Sequence, residues 1–177
     1  MPKSDFNKPS EKEYIKNVLS RIKTKEIMDT PVPTVFEDDE LSDVQQKFIT
    51  HKTFYLPVLT HNFTLAGLIS QKYLYKTHSP RKFVDPEVKF DPEIVNARDI
   101  IVDEDSFYFR ETLDSYILRN IMHKTPTTLS PDHTVAEALT LMGRKNIGCI
   151  IIVDKNQKVQ GLLTHKEIVD LFVRLIM

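Results

Sequence analysis

The chain has 177 residues, of which 41% are hydrophobic and 28% are charged, and its formal net charge is −1 at pH 7. This length suits one ordinary domain or two small ones that share a core, while the balanced charge, with no basic cluster, disfavours nucleic acid as a partner. The longest apolar run, at 147–153, is too short to cross a membrane, and the N-terminus lacks the apolar region of an export signal. We therefore expect a globular cytoplasmic protein with no membrane partner.

The predicted elements occur twice along the chain. Residues 27–74 align without a gap with residues 121–168, and the apolar positions agree better than the identities do. From its hydrophobic periods, each copy reads as strand, helix, strand, strand, helix. An amphipathic helix precedes each copy, and the first of these starts at a capping box, Ser10-x-x-Glu13. The pattern predicts an α/β (α+β) fold of two βαββα repeats, each preceded by a helix.

The first repeat is placed at 10–77. Its acidic run at 37–40 is interpreted as a helix start rather than a metal site, because carboxylates there favour the free N–H groups of the first turn. Two short apolar strands follow, and Gly67 in the second indicates a close approach of another backbone. After this repeat, the long segment at 78–110 has no counterpart in the repeat scheme. Its aromatic residues argue against plain disorder, so we expect it to pack on the body of the protein or on another subunit.

The second repeat is placed at 111–177. Its central helix starts at a capping box, Thr134-x-x-Glu137. The strand after that helix contains Cys149, the only cysteine, which we interpret as a small buried hydrophobic residue rather than a reactive thiol. The last helix starts at Thr164-x-x-Glu167. That motif fits a capping box, and it fits equally a hydroxyl and a carboxylate that hold the diol of a ligand.

The sequence gives no support for an enzyme. The six histidines lack the tight spacing of a metal site, four glycines form no phosphate-binding loop, and there is no Gly-x-Ser-x-Gly turn.

The doubled pattern resembles a tandem pair of cystathionine-β-synthase (CBS) domains, often called a Bateman module. The residues that carry the resemblance are "YLPVL" and "GLIS" in the first copy and "CIIIVD" and "GLLT" in the second. The resemblance implies regulation rather than catalysis, with the two repeats packed by pseudo-twofold symmetry. It also implies two clefts of the kind that often bind adenine nucleotides or S-adenosylmethionine, and a homodimer.

The family pattern transfers to this chain residue by residue. In the second copy, Thr164 and Glu167 match the pair that holds the ribose. The other matching positions in that copy are Thr127, Thr128, Ile147 and Gly148 for the base, and Arg144, Lys145, His165 and Lys166 for phosphate contact. In the first copy, Tyr73 occupies the carboxylate position. We therefore expect only a weaker second site there, formed by Ser70, Thr34, Thr53 and Phe54.

The resemblance thus implies a ligand-sensing module for AMP, ADP, ATP or S-adenosylmethionine that requires no cofactor and signals by a conformational change to an unidentified protein partner. The alternative is a dimerisation or protein-interaction module that binds no small molecule. Simpler interpretations of single residues also stay open. Gly148 could only relieve crowding, and Arg144 with Lys145 could form a solvated helix end.

Overall fold

The computed structural model describes residues 11–72, 74, 100–103, 106–109 and 118–177, with the backbone alone for 11, 12, 100–103 and 106–109. Ser10, predicted to cap the first helix, lies outside these residues. The helices are α1 (Glu11–Leu19), α2 (Leu41–His51), α3 (Leu118–Ile121), α4 (Val135–Lys145) and α5 (His165–Ile176). The strands are β1 (Val35–Phe36), β2 (Tyr55–Leu59), β3 (Leu65–Ser70), β4 (Ile100–Asp103), β5 (Ser106–Phe109), β6 (Thr128–Leu129), β7 (Cys149–Val153) and β8 (Val159–Thr164).

The two repeats form two three-stranded sheets of the same topology. In repeat one, β1 pairs parallel with β2, and β2 pairs antiparallel with β3. Strands β6, β7 and β8 of repeat two pair in the same way. The registers also correspond, because Val58 lies opposite Gly67 and Ile152 lies opposite Gly161. The predicted mixed α and β fold with two βαββα repeats is therefore confirmed.

The central helices α2 and α4 end in the same way in both repeats. Lys52 follows α2 with φ 49°, and Asn146 follows α4 with φ 52°, so each helix stops at a left-handed residue. Their starts differ. Thr134 and Glu137 form the predicted capping box at α4, whereas Glu40 at the start of α2 makes no side-chain cap. The acidic run at 37–40 marks a helix start, and its first three side chains pair elsewhere, with Arg119, His61 and Lys47.

The segment at the start of each repeat, before its first strand, packs on the other repeat. Leu19 and Ile27 belong to the core cluster around α4 and β7 of repeat two. Leu118 and Ile121 of α3 belong to the core cluster around α2 and β2 of repeat one. Because each core takes side chains from both halves of the chain, neither repeat completes its core from its own strands and central helix. The predicted domain boundaries, 10–77 and 111–177, therefore do not separate the two cores, since side chains from each domain pack in the other. The boundaries themselves stay a prediction.

Two reciprocal pairs of backbone hydrogen bonds join the repeats. Asp29 N–H donates to the Leu162 carbonyl at 2.8 Å, and Leu162 N–H donates back to Asp29 at 3.1 Å. Leu68 and His123 exchange the equivalent bonds at 3.0 and 2.9 Å. The two bridges link equivalent positions in opposite order, as a pseudo-twofold axis requires.

Glycine permits these bridges. A Cβ at Gly161 would lie 2.6 Å from Met28 Sδ and 2.8 Å from the Asp29 carbonyl oxygen. A Cβ at Gly67 would lie 2.7 Å from Met122 Sδ, in the equivalent contact. The close approach predicted at Gly67 is confirmed, and the neighbour that causes it is the other repeat.

Within the segment at 78–110, strands β4 and β5 form an antiparallel hairpin in which Ile100 pairs with Phe109. How this segment packs lies outside the described residues and stays a prediction. In the part of the chain that the structure describes, every helix is too short or too polar to cross a membrane.

Candidate functional site

The capping box at the start of α5 is fully formed. The Thr164 N–H and the Thr164 hydroxyl both donate to Glu167 Oε2, at 2.8 and 2.5 Å. The Lys166 N–H donates to the same hydroxyl at 3.2 Å. The carboxylate therefore satisfies two donors at the N-terminus of α5, where the helix dipole also favours negative charge. The capping half of the prediction is confirmed.

Glu167 is unusual for a capping glutamate because only 6% of it is exposed. Its second oxygen, Oε1, lies 3.6 Å from Lys166 Nζ, which is also held by Asp170 at 3.0 Å. The buried carboxylate lies close enough to Cys149 to add to the effect of burial, and together they raise the pKa of that thiol to about 12. Cys149 is thus buried and protonated at neutral pH, as the sequence predicts.

Gly148 lies at a three-way contact beside this box. A Cβ at Gly148 would lie 2.7 Å from the Tyr55 hydroxyl oxygen and 3.2 Å from His165 Cε1. Tyr55 belongs to repeat one, whereas Gly148 and His165 belong to repeat two. Side chains of both repeats therefore meet at this end of β7.

Sequence reasoning missed Tyr55 as a residue of this site. The signal that could have located it is the alternation of side chains between the two faces of the sheet along strand β2. Leu56 and Val58 point into the core of repeat one, so Tyr55 must lie on the opposite face of the sheet. There it packs in the inter-repeat cluster with Cys149 and Ile151. Burial, and then the electrostatic interaction with Cys149, raise the Tyr55 pKa above its usual value.

The other predicted residues of the second copy lie along β6 and at the end of α4. Lys145 Nζ donates to Thr127 Oγ1 at 3.2 Å, so the ammonium is tied to the predicted base pocket. Thr128 pairs with Ile151 in the sheet. Ile147 packs against the core of repeat two, and Arg144 is exposed on the last turn of α4. Within the described part of the chain, no three His, Cys, Asp or Glu side chains cluster as a metal site would require.

In the first copy, the predicted residues have other partners. Lys47 Nζ donates to the Thr34 carbonyl at 3.1 Å and to Asp39 Oδ2 at 3.2 Å. The Thr53 hydroxyl donates to the Tyr55 carbonyl at 3.0 Å, and 69% of Phe54 is exposed. Ser70 ends strand β3. Tyr73, which replaces the carboxylate, lies outside the described residues.

The fold and the reciprocal bridges define a tandem repeat protein whose two βαββα units pack by pseudo-twofold symmetry. The family model for the CBS domain matches residues 25–77 and 118–174. The chain therefore belongs to the CBS-domain family, and the resemblance inferred from the sequence is confirmed.

Among curated proteins, the chain is similar to an uncharacterised protein of Methanocaldococcus jannaschii, with 26% identity over 84% of this chain and 90% of that protein. Among solved structures, it is similar to the CBS domain pair of protein MJ0100 in complex with 5′-methylthioadenosine and S-adenosyl-L-methionine, with a TM-score of 0.62, 19% identity, and coverage of 85% of this chain and 94% of that one. CBSX2 in complex with AMP gives a TM-score of 0.64, 16% identity, and coverage of 88% and 99%. At these identities, the solved structures establish the fold alone.

Proposed function

We propose that the protein is a regulatory module that binds an adenine nucleotide or a related adenosyl ligand in the cleft of repeat two. The observation that carries this proposal is the burial of Glu167. A capping box needs no burial, because at Thr134 the N–H and the hydroxyl of the threonine also donate to the glutamate, and that Glu137 is exposed. At α5 the equivalent carboxylate, that of Glu167, is buried close to Cys149, and desolvating a charge is costly unless partners compensate.

The chemistry of the box suits a ribose. Glu167 Oε2 takes both bonds from Thr164, and Oε1, which lies 3.6 Å from Lys166 Nζ, has acceptor capacity left for ligand hydroxyls. A carboxylate accepts such bonds more strongly than a neutral group does. The Thr164 hydroxyl has acceptor capacity for a second contact. That two CBS-domain structures of the same fold were solved with adenosyl compounds supports this class of ligand.

The cationic groups beside the box suit the rest of a nucleotide. Lys145, held at Thr127, and the exposed side chains of Arg144, His165 and Lys166 provide donors near the N-terminus of α5, where anions are favoured. AMP, ADP, ATP and S-adenosylmethionine are therefore the ligands to test. We infer a regulatory role for them rather than a catalytic one, and we retain the cytoplasmic location as a prediction.

The first cleft is proposed to be the weaker one. Lys47 already donates to the Thr34 carbonyl at 3.1 Å, so an internal ammonium occupies a group that the family pattern offers to the base. The equivalent residue in repeat two is Leu141, which packs in the core. One ligand per chain is the expected stoichiometry.

Titration calorimetry with AMP, ADP, ATP and S-adenosylmethionine tests the proposal. For at least one ligand, Glu167→Gln should weaken binding about tenfold or more, because a neutral amide replaces a charged acceptor. Glu137→Gln is the matched control, since it alters the other box, and it should bind as the wild type does. If Glu167→Gln binds with wild-type affinity, the box is only a cap.

A second candidate, a dimerisation module that binds no small molecule, is favoured by helix α5. Its surface carries an exposed apolar row, formed by Val169, Val173 and Ile176 at 58%, 48% and 83% exposure. We propose that this row joins two copies in a homodimer. Light scattering should show that Val173→Glu is monomeric and that Phe63→Glu, at an exposed turn, is still dimeric. The interaction function replaces ligand sensing if no ligand at millimolar concentration raises the melting temperature.

For signalling, we propose that ligand occupancy changes the angle between the repeats and that a protein partner reads this change. Such a mechanism requires two states with different affinity for the ligand. Small-angle scattering with and without the tightest ligand should give different profiles. Superimposable profiles would contradict it.

A further inference from the structure

Tyr55 covers the part of repeat two that the base of a ligand is expected to meet. Its hydroxyl oxygen lies so close to Gly148 that a Cβ there would be only 2.7 Å away. The ring of His165 closes the adjacent side, with Nδ1 3.4 Å from the same Cβ position. A single methyl group does not fit between these atoms, so a purine ring does not fit either.

We propose that Tyr55 is a gate, contributed by repeat one, that a ligand must displace to enter the cleft of repeat two. This inference rests on the proposed function and adds to it a residue that controls access. Gly148 then has a structural cause, since glycine is the residue that lets the phenol close the gate.

The position of Tyr55 connects the gate to the repeat interface. Its ring packs in the cluster that Cys149, Ile151 and Leu162 form between the two sheets. Its backbone is fixed at the start of β2, where the Tyr55 carbonyl accepts a bond from the Thr53 hydroxyl at 3.0 Å. Displacement must therefore occur by rotation of the side chain or by movement of repeat one as a unit. Either change alters the contact between repeats, because packed interfaces do not deform continuously.

The gate makes a quantitative prediction about affinity. When a site is open for only a fraction of the time, the apparent dissociation constant equals the intrinsic one divided by that fraction, and it is therefore higher. Removing the gate should thus tighten binding, whereas removing a residue that contacts the ligand would weaken it. Whether the affinity rises or falls after the substitution therefore distinguishes a gate from a ligand contact.

The experiment is titration calorimetry of AMP and S-adenosylmethionine against four forms of the full chain: wild type, Tyr55→Ala, Tyr55→Phe and Tyr14→Ala. Tyr55→Ala should bind about three- to tenfold more tightly than wild type. Tyr55→Phe removes only the oxygen that contacts Gly148, and it should shift affinity in the same direction by less. Tyr14→Ala removes a tyrosine that is 63% exposed on α1 and should leave affinity unchanged. Circular dichroism establishes that each variant is folded.

Every outcome decides the proposal. Tighter binding by Tyr55→Ala supports the gate, and so does binding by this variant where the wild type binds neither probe. Weaker or equal binding by Tyr55→Ala overturns the gate and leaves the proposed function standing. Failure of both the wild type and Tyr55→Ala to bind either probe overturns the gate, and it contradicts the proposed function as well if ADP and ATP also fail to bind.

Discussion

Equivalent positions of the two repeats have the same backbone and different chemistry. Position 55 of repeat one carries a tyrosine that extends to the other repeat, and its counterpart in repeat two is the small buried Cys149. Next to them, Phe54 is exposed, whereas its counterpart Gly148 is packed under Tyr55. The sheets and the reciprocal bridges do not show this difference, and neither do the register shifts, which fall between Val58 and Leu59 and between Ile152 and Val153. The packing of the backbone is therefore symmetric, whereas the side chains at the candidate clefts differ between the repeats.

The side chains of the two clefts indicate that repeat two is the one to test for ligand binding. In repeat one, Lys47 pairs internally with Asp39 and with the Thr34 carbonyl, so these groups of the cleft already have partners within the protein. In repeat two, a buried carboxylate, a glycine and a tyrosine from the other repeat meet at one helix N-terminus. Unequal clefts of this kind would let one ligand act on a symmetric scaffold.

The largest effect that we expect concerns the thiol of Cys149. Because its pKa is raised to about 12 from 9.0, its thiolate at pH 8 should be about a thousandfold rarer than in the unfolded chain. Alkylation by iodoacetamide should therefore be far slower in the native protein, although part of the loss of thiolate is offset because a thiolate of higher pKa is more nucleophilic. The same chain in guanidinium chloride is the control, and every modification reports on this one cysteine.

The same raised pKa gives a dependence of stability on pH. Folding keeps the thiol protonated, so its contribution to stability is present below the unfolded pKa near 9 and is lost as pH rises toward 12. The free energy of unfolding should fall over this interval, and Cys149→Ala should reduce the fall. Equal slopes in the two proteins, or native alkylation at the denatured rate, would contradict the burial of the thiol.

The next effect tests the symmetric part of the comparison. Gly161→Ala and Gly67→Ala should each destabilise the protein by about 1–3 kcal/mol, because the new Cβ overlaps a backbone carbonyl and a methionine of the other repeat. Gly143→Ala is the control. It lies in α4 with no atom within 4 Å of the added Cβ, and it should stabilise the helix slightly.

Chemical denaturation measures the free energy of unfolding of all three variants. Losses of similar size at Gly67 and Gly161 would confirm that the two bridges are energetically equivalent. A loss at only one of them would mean that the repeats are asymmetric in their packing as well as in their chemistry.

The repeat could be predicted from the sequence, because the hydrophobic period and the turn residues are local signals. The sequence also sufficed for the cap at Thr164 and for the burial of Cys149. The exchange of helices between the cores was not predictable from these signals. Leu19 and Leu118 are apolar positions whose period indicates a buried face but does not say which repeat buries it.

The role of Tyr55 was hidden for the same reason. Strand alternation assigns a face to it, but only the packing of the two sheets brings it to Gly148. The acidic run at 37–40 illustrates a further limit. Its helix start was correctly placed, yet Asp39 binds Lys47 and the Phe36 N–H rather than capping α2. Composition predicts where a helix begins better than it predicts which donor each carboxylate will find.

The smallest effect that we expect comes from the helix caps that start the last helix of each repeat. Thr164→Ala removes the hydroxyl that donates to Glu167 at 2.5 Å and accepts from the Lys166 N–H. Since Glu167 is only 6% exposed, water cannot readily replace this donor, and the loss should be about 1–2 kcal/mol. Ser70→Ala, at the equivalent position, should cost less, because the residue three positions later is Tyr73 and no capping box can form.

Thr134→Ala, at the start of the central helix α4, separates the effect of burial from the effect of capping. It removes the same box where the glutamate is exposed, and hydrogen bonds from Thr134 hold the Glu137 pKa below its usual value. Water can solvate Glu137 after the change, so the loss should be smaller than for Thr164→Ala. Equal losses at Thr134 and Thr164 would show that the burial of Glu167 has no energetic consequence for the cap.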